Sequence, residues 1–186
     1  MSGSRTSACA GLAALAVAIG IGRFAFTPIL PMMQDDAGLT VAGAGWLASA
    51  NYAGYLAGAL SAIGVRVRSS TAIRVGLLVI GLSTLAMGLE QPFISWIALR
   101  FVAGIASAWV LVFVSAWALD RLTALGSPGL SGVVYAGVGT GIVIAGGVCA
   151  VAMELNAGSG VAWASLGIAS MLITGAIWVL VKDEQA

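Results

Sequence analysis

The chain has 186 residues, of which 60% are hydrophobic and only 8% are charged. Soluble domains usually carry about 25% charged residues, so this composition indicates an integral membrane protein along its whole length. The net charge of +1 argues against a nucleic-acid-binding surface, and the absence of histidine excludes serine–histidine enzymes, HExxH zinc sites and histidine proton relays. We therefore expect a protein that is not an enzyme and that has no metal or cofactor site.

Six apolar segments are each long enough for a transmembrane helix, which needs about 20 residues to cross a bilayer. The connectors between them are too short to hold a soluble domain, so we expect one all-α domain over residues 1–186. Helices are expected rather than barrel strands because the runs are long and uniformly apolar. The predicted spans, numbered one to six, are 8–30, 41–63, 72–89, 93–119, 130–153 and 161–181.

The positions of arginine and lysine predict how the spans lie in the membrane. With the amino terminus in the cytoplasm, the basic residues outside the spans or at their inner ends fall on the cytoplasmic side, and the outer loops hold only acidic ones. Both termini are then cytoplasmic, as an even number of spans requires. The cytoplasmic residues are Arg5, Arg66, Arg68, Arg74, Arg121 and Lys182, and the outer ones are Asp35, Asp36, Glu90 and Glu154.

Two permanent cations, Arg23 and Arg100, are the ones that fall clearly inside predicted spans, away from their ends. Arg23 lies ten residues before Met33 and Arg100 seven residues after Phe93, which is about 15 Å and about 10 Å along a helix. We expect them at similar depth, with no acidic residue there to pair with. An arginine at bilayer depth costs at least about 2.5 kcal/mol, so it must face protein or water. Two interpretations stay open: carbonyls, hydroxyls or water satisfy each cation, or one or both attract an anion into a cavity.

Uncharged polar residues gather near the two cations. Asn51 and Tyr55 are four residues apart and share one helix face, and Thr27 lies one turn after Arg23. We predict that a small solute contacts Arg23, Thr27, Asn51, Tyr55 and Arg100. For Asn51 and Tyr55, hydrogen bonding between helices is an equally good interpretation.

Glycine spacing predicts close helix contacts in two spans. Gly54 and Gly58 form a GxxxG pattern in the second span, and Gly137 and Gly141 form another in the fifth. Small residues four apart let two helix backbones approach closely. These spans occupy equivalent places in two triplets of spans, and the second triplet enters the membrane from the opposite side. That arrangement is an inverted-topology repeat, which is common in secondary transporters.

Four segments of the chain together resemble the YbfB/YjiJ-type family of the major facilitator superfamily. They are GIGRFAFTPILPMM from residue 20, ANYAGYLAGAL at 50–60, LRFVAGIASAWVLVFVSA at 99–116 and VYAGVGTGIVIAGG at 134–147. The resemblance covers essentially the whole chain and matches the amino-terminal six-helix half of that family. It implies a fold of two such halves with substrate bound between them, the first and fourth helices lining the cavity. It also implies that the second and fifth helices, with their glycine faces, meet the other half.

We therefore expect a secondary active transporter of a small solute, such as an organic anion, which works by alternating access in a bacterial inner membrane. Its partners are the lipid bilayer, the solute and a second six-helix half. That half is either the remainder of a longer transporter or a second chain. The alternative is a structural or truncated membrane module that transports nothing without its partner.

Overall fold

The structure, a computed structural model, describes residues 2–182. The elements are α1 Ser2–Leu15, a π-helical segment Ala16–Ile21, α2 Phe26–Asp36, α3 Val41–Ala62, α4 Ser69–Met87, α5 Phe93–Ala124, a 3₁₀ turn Pro128–Leu130, α6 Ser131–Glu154 and α7 Ser159–Ile177. The all-helical prediction is confirmed for this part of the chain. The first predicted span is the interrupted helix that runs from α1 through the π-helical segment to α2, and we call it the first span. The other predicted spans coincide with α3 to α7, with ends that differ by a few residues.

Within the described residues, five helical stretches are long and apolar enough to cross a membrane. They are Gly3–Asp36, Ser69–Met87, Phe93–Ala124, Pro128–Glu154 and Ser159–Ile177. The remaining helix, α3, has 22 residues and is long enough, but it is less apolar than the others. Asn51, Tyr52 and Tyr55, together with several glycines, lower its hydropathy. The prediction of six spans is therefore supported for five.

The first span changes its hydrogen-bond pattern halfway along. The amide of Gly22 donates to the carbonyl of Val17 at 2.8 Å, and the amide of Phe24 donates to the carbonyl of Ile19 at 3.2 Å. Both bonds reach five residues back, which is the spacing of a π-helix and not of an α-helix. Because Gly22 bonds elsewhere, the carbonyl of Ala18 loses its usual helical donor.

A proline just beyond this segment releases a second carbonyl. Pro28 has no amide hydrogen, so it cannot donate to the carbonyl of Phe24. The amide of Thr27 takes that place at 3.1 Å. The carbonyl of Arg23, four residues before Thr27, is therefore also left without its helical donor. We call the region between Ala18 and Thr27 the break.

The glycines of α3 lie directly against the backbone of α5. A Cβ atom added to Gly58 would lie 2.5 Å from the carbonyl oxygen of Ile105, and one added to Gly54 would overlap the carbonyl of Phe101. From the other side, Gly104 of α5 faces the backbone of α3 in the same way. Only glycine permits this approach, because any side chain would force the two helices apart.

The glycines of α6 make the equivalent contact with the first span. Added Cβ atoms at Gly137 and Gly141 would overlap the carbonyls of Leu12 and Ala16. Gly20 of the first span faces Gly141 across the contact. The two predicted glycine patterns therefore build two tightly packed helix pairs.

These contacts correct one expectation about partners. The glycine faces at Gly54/Gly58 and Gly137/Gly141 are expected from the sequence to meet a second six-helix half. In the structure, each face is occupied by a helix of the same chain. The close approach is present, but it is internal, so a second half would have to contact other surfaces of α3 and α6.

Buried side chains form two apolar clusters, one on each side of the break. The first cluster includes Leu15, Trp117 and Val181, and the second includes Met33 and Trp163. The break lies between them, because the first cluster ends at Ile19 in the first span and the second starts at Ile21. Polar groups released there are buried and must find donors within the bundle.

Hydrogen bonds mark two opposite ends of the bundle. At the termini end, Arg121 Nε donates to Ser7 Oγ at 2.9 Å, and Trp117 Nε1 donates to the carbonyl of Lys182 at 2.9 Å. At the other end, the Asp36 carboxylate accepts from the backbone amide and the hydroxyl of Ser159 at the start of α7. The residues near both chain ends are thus on one side of the bundle.

A matched pair of substitutions in α3 tests the glycine contact. We expect Gly54→Ala to lower the free energy of unfolding by about 1–3 kcal/mol, because its Cβ overlaps the backbone of α5. Gly45→Ala is the control, since nothing lies within 4 Å of an added Cβ there, and it should raise helix stability by up to about 1 kcal/mol. Unfolding in mixed detergent micelles measures both, and equal effects would contradict the contact.

Candidate functional site

The guanidinium of Arg100 is buried between α5 and the first span, and only 3% of the residue is exposed. Its Nη1 donates to the carbonyl of Gly22 at 3.1 Å, and its Nη2 donates to the carbonyl of Arg23 at 3.1 Å. The ring of Phe26 lies 5.2 Å from the Arg100 Cζ. Hydrogen bonds with a charged donor contribute about 1.5–3 kcal/mol, so the released backbone holds this cation firmly.

Two further polar side chains lie where α3 and α5 meet the break, a region that we call the junction. Asn51 of α3 donates from Nδ2 to the carbonyl of Arg100 at 2.9 Å. Ser107 lies seven residues after Arg100, two turns along the same face of α5, and its hydroxyl donates to the carbonyl of Ala18 at 2.8 Å. Both side chains are buried. Together, Arg100 and Ser107 replace the donors that the break takes from Arg23 and Ala18.

The guanidinium of Arg23 contacts aromatic rings, mainly those of α3. Its Cζ lies 4.1 Å from the ring centre of Tyr55, 5.0 Å from that of Tyr52 and 5.6 Å from that of Phe24. Cation–π contacts of this kind stabilise a guanidinium by about 0.5–2 kcal/mol and leave its charge in place. Arg23 is therefore supported by its neighbours without being neutralised.

Arg23 is also partly exposed, unlike Arg100. Its Nε is buried without a partner, whereas its two terminal nitrogens are not buried. Across residues 2–182, the Arg23 guanidinium makes neither a hydrogen bond nor an ion pair with another group. The donors of this cation are thus available to a ligand, and those of Arg100 on Nη1 and Nη2 are used by the backbone.

Four of the five predicted site residues meet at this junction. Arg100 reaches the backbone of Arg23, so the two cations lie at one level, as their positions in the sequence predict. Asn51 and Arg100 both bond to backbone carbonyls, which supports the interpretation that these two hold the helices together. Tyr55 contacts the Arg23 cation. Thr27 stands apart: it is exposed, and its hydroxyl has no hydrogen bond within the part of the chain that the structure describes.

Three residues of the junction are missed by the sequence analysis. Tyr52 lies three residues before Tyr55 and so faces the same cation, and Ser107 follows Arg100 at a spacing of seven. Both spacings place side chains on one helix face and were available as signals. Phe26 carries no such signal, because its contact with Arg100 depends on how the first span bends.

Three of the cavities in the described chain lie elsewhere, and neither Arg23 nor Arg100 lines these three. Two, of about 470 and 440 Å³, flank Asp36 at the end opposite the termini. The third, of about 480 Å³, is an apolar groove between α3 and α5 that runs past Trp46 and Phe101. No group of three His, Cys, Asp or Glu side chains that could hold a metal ion occurs in residues 2–182. The Arg23 side chain is partly exposed, but it does not line any of these three cavities.

The different surroundings of the two arginines predict different costs of removal. Arg100→Met leaves buried carbonyls at Gly22 and Arg23 without donors, so it should lower the free energy of unfolding by about 1–3 kcal/mol for each. Arg23→Met loses its ring contacts but also removes a charge that is costly at membrane depth, so the two effects offset each other and we expect a net change below about 1 kcal/mol. Unfolding in detergent micelles compares the two variants directly. Equal destabilisation by both would show that the guanidinium groups do not differ in this way.

A family model described as "Uncharacterised MFS-type transporter YbfB" matches residues 15–186 of the chain. That match covers nearly the whole chain, including the break, α3, α5 and the glycines of α3 and α6. No curated protein matches the chain. The family assignment agrees with the bundle of apolar helices and with the resemblance in the sequence. The chain belongs to the YbfB family of MFS-type transporters.

Proposed function

We propose that the chain forms the solute-binding half of a secondary active transporter that moves a small organic anion across a membrane. Family membership supports the transporter role in general terms. The observation that carries the anion proposal is Arg23, whose terminal nitrogens are not buried and whose charge has no acidic partner within residues 2–182. A cation kept at membrane depth is costly and most often serves a substrate or ion pathway.

The surroundings of Arg23 suit a carboxylate. The rings of Tyr52 and Tyr55 lie against the guanidinium, so its remaining N–H donors are free for an oxyanion, which guanidinium binds with two parallel hydrogen bonds. In this proposal Tyr55 and the exposed Thr27 orient the solute from either side. Asn51 and Arg100 belong to the site through the helices they join rather than through contact with the solute.

The packing supports the proposed inverted repeat. Exchanging the first span with α5, and α3 with α6, converts one glycine contact into the other: Gly54 and Gly58 pack α3 on α5, and Gly137 and Gly141 pack α6 on the first span. Inverted repeats place the solute site at their interface near the bilayer midplane. We also propose six spans, with both termini on the cytoplasmic side of a bacterial inner membrane, on the basis of the charge distribution.

A second six-helix half is part of the proposal. Only 28% of the apolar part of the α6 stretch is buried within the chain, whereas 72% of the apolar part of the first span is buried. Apolar side chains such as Leu56 on α3 and Val143 on α6 are exposed. We propose that these open faces, on the sides of α3 and α6 away from the glycine contacts, meet the second half. Alternating access then arises as two bundles rock about the solute.

The transport proposal is tested with the full chain in liposomes and a set of radiolabelled mono- and dicarboxylates. We expect uptake of at least one anion, and we expect Arg23→Gln to reduce the initial rate by about tenfold or more, as loss of a charged hydrogen-bond donor predicts. Arg5→Gln, which removes an exposed arginine of α1, should leave the rate unchanged. Uptake that is equal in all three proteins would overturn the anion site.

The alternative is a membrane module that transports nothing without a partner, and the partial exposure of Arg23 is the observation in its favour. Mass measurement of the purified chain in mild detergent separates the two proposals when it is combined with uptake. A dimer with uptake supports a transporter built from two copies. A monomer that gives no uptake of any anion supports the module and contradicts transport by the chain alone.

A further inference from the structure

We infer that Arg100 and Ser107 are positioning residues that hold the break in the first span and thereby keep the Arg23 side chain against Tyr55. This inference rests on the proposed function, because it concerns the same cation. It adds that the placement of this cation is set from a different helix, α5. Neither positioning residue is required to touch the solute.

Two backbone carbonyls of the break depend on donors from α5. The carbonyls of Ala18 and Arg23 have lost their helical donors, and the Ser107 hydroxyl and Arg100 Nη2 replace them at 2.8 and 3.1 Å. A buried carbonyl without a donor is unfavourable, so without the Ser107 hydroxyl the segment would gain by returning the amide of Gly22 to the carbonyl of Ala18. The Ser107 hydroxyl therefore favours the π-helical pattern over the α-helical one, and Arg100 holds the carbonyls of Gly22 and Arg23 just beyond it.

The direction of the Arg23 side chain depends on this pattern. A π-helical segment holds one residue more than the α-helical turn that it replaces. Rewinding it to an α-helix would shift the helix register by one residue, and at 3.6 residues per turn this rotates the part beyond the segment by about 100° relative to the part before it. Arg23 lies just beyond the π-helical segment, and its Cζ is 4.1 Å from the ring centre of Tyr55. A rewound segment would turn Arg23 away from that ring.

The α3–α5 pair is a rigid unit that also contacts the first span. Tyr55 and Arg100 belong to helices that are held together by the contacts of Gly54 and Gly104 and by the bond from Asn51 to the Arg100 carbonyl. Arg100 in turn bonds the backbone of Arg23. The distance between the Arg23 guanidinium and the Tyr55 ring is therefore set by the α3–α5 pair through Arg100.

The chain contains three tyrosines, which allows a direct test by fluorine NMR of 3-fluorotyrosine-labelled protein in detergent micelles. Tyr52 and Tyr55 lie beside Arg23, and Tyr135 on α6 is exposed and serves as an internal reference. Tyr→Phe variants assign the three signals. We expect Arg23→Gln to shift the Tyr55 signal and to leave that of Tyr135 unchanged.

Substitutions in α5 that leave Arg23 in place should also shift the Tyr55 signal. Ser107→Ala and Arg100→Lys should each move the Tyr55 signal in the direction seen for Arg23→Gln, although Arg23 itself is intact. Matched controls are Ser170→Ala, which removes a buried hydroxyl bonded within α7, and Arg74→Lys, which alters an arginine that donates to the carbonyl of Val181. Both controls should leave the Tyr55 signal in place.

The outcomes separate this inference from the proposed function. If Arg23→Gln shifts Tyr55 but Ser107→Ala and Arg100→Lys do not, Arg23 is positioned without α5 and the inference is overturned. Should Arg100→Lys fail to fold, Ser107→Ala decides the result alone. The signals are recorded without any solute, so loss of the transport proposal would leave this test unaffected. A Tyr55 signal that ignores Arg23→Gln would also overturn it, because the contact itself would then be absent.

Discussion

Backbone carbonyls released inside a bundle of membrane helices must find donors in the protein, because lipid offers none. The break in the first span releases the carbonyls of Ala18 and Arg23, and α5 supplies the Ser107 hydroxyl and the Arg100 guanidinium. This exchange ties both terminal nitrogens of one cation, Arg100, to backbone carbonyls. It also joins the first span to α5 beside the second cation, Arg23, which is partly exposed.

Two close helix contacts make the exchange possible. Gly54 and Gly58 bring α3 onto α5, and Gly137 and Gly141 bring α6 onto the first span. Each pair is rigid because backbones touch directly. Asn51 adds a hydrogen bond within the α3–α5 pair, and the Arg100 side chain links that pair to the first span at the break. The result is a bundle with a firm polar junction and one partly exposed guanidinium, and the anion binding that we propose for this guanidinium would leave the junction intact.

Much of this architecture follows from the sequence, and the limits have physical causes. Apolar run lengths predict the helices, and glycine spacing predicts the two close contacts, because both depend on local geometry. Spacing does not say which helix fills a glycine face, so the assignment of those faces to a second half needed correction. Arg23 and Arg100 look alike in the sequence. Their surroundings differ because the carbonyls of Gly22 and Arg23 bond the guanidinium of Arg100, and these bonds join two helices that are distant in the chain.

The central claim is that one guanidinium is occupied by the backbone and the other is open. Proton exchange of the arginine side chains, followed by NMR in detergent micelles and assigned with Arg23→Lys and Arg100→Lys, tests it most directly. The account predicts slow exchange of the Nη protons of Arg100, which are buried and hydrogen-bonded, and fast exchange for those of Arg23. Equal exchange rates at the two side chains would contradict it.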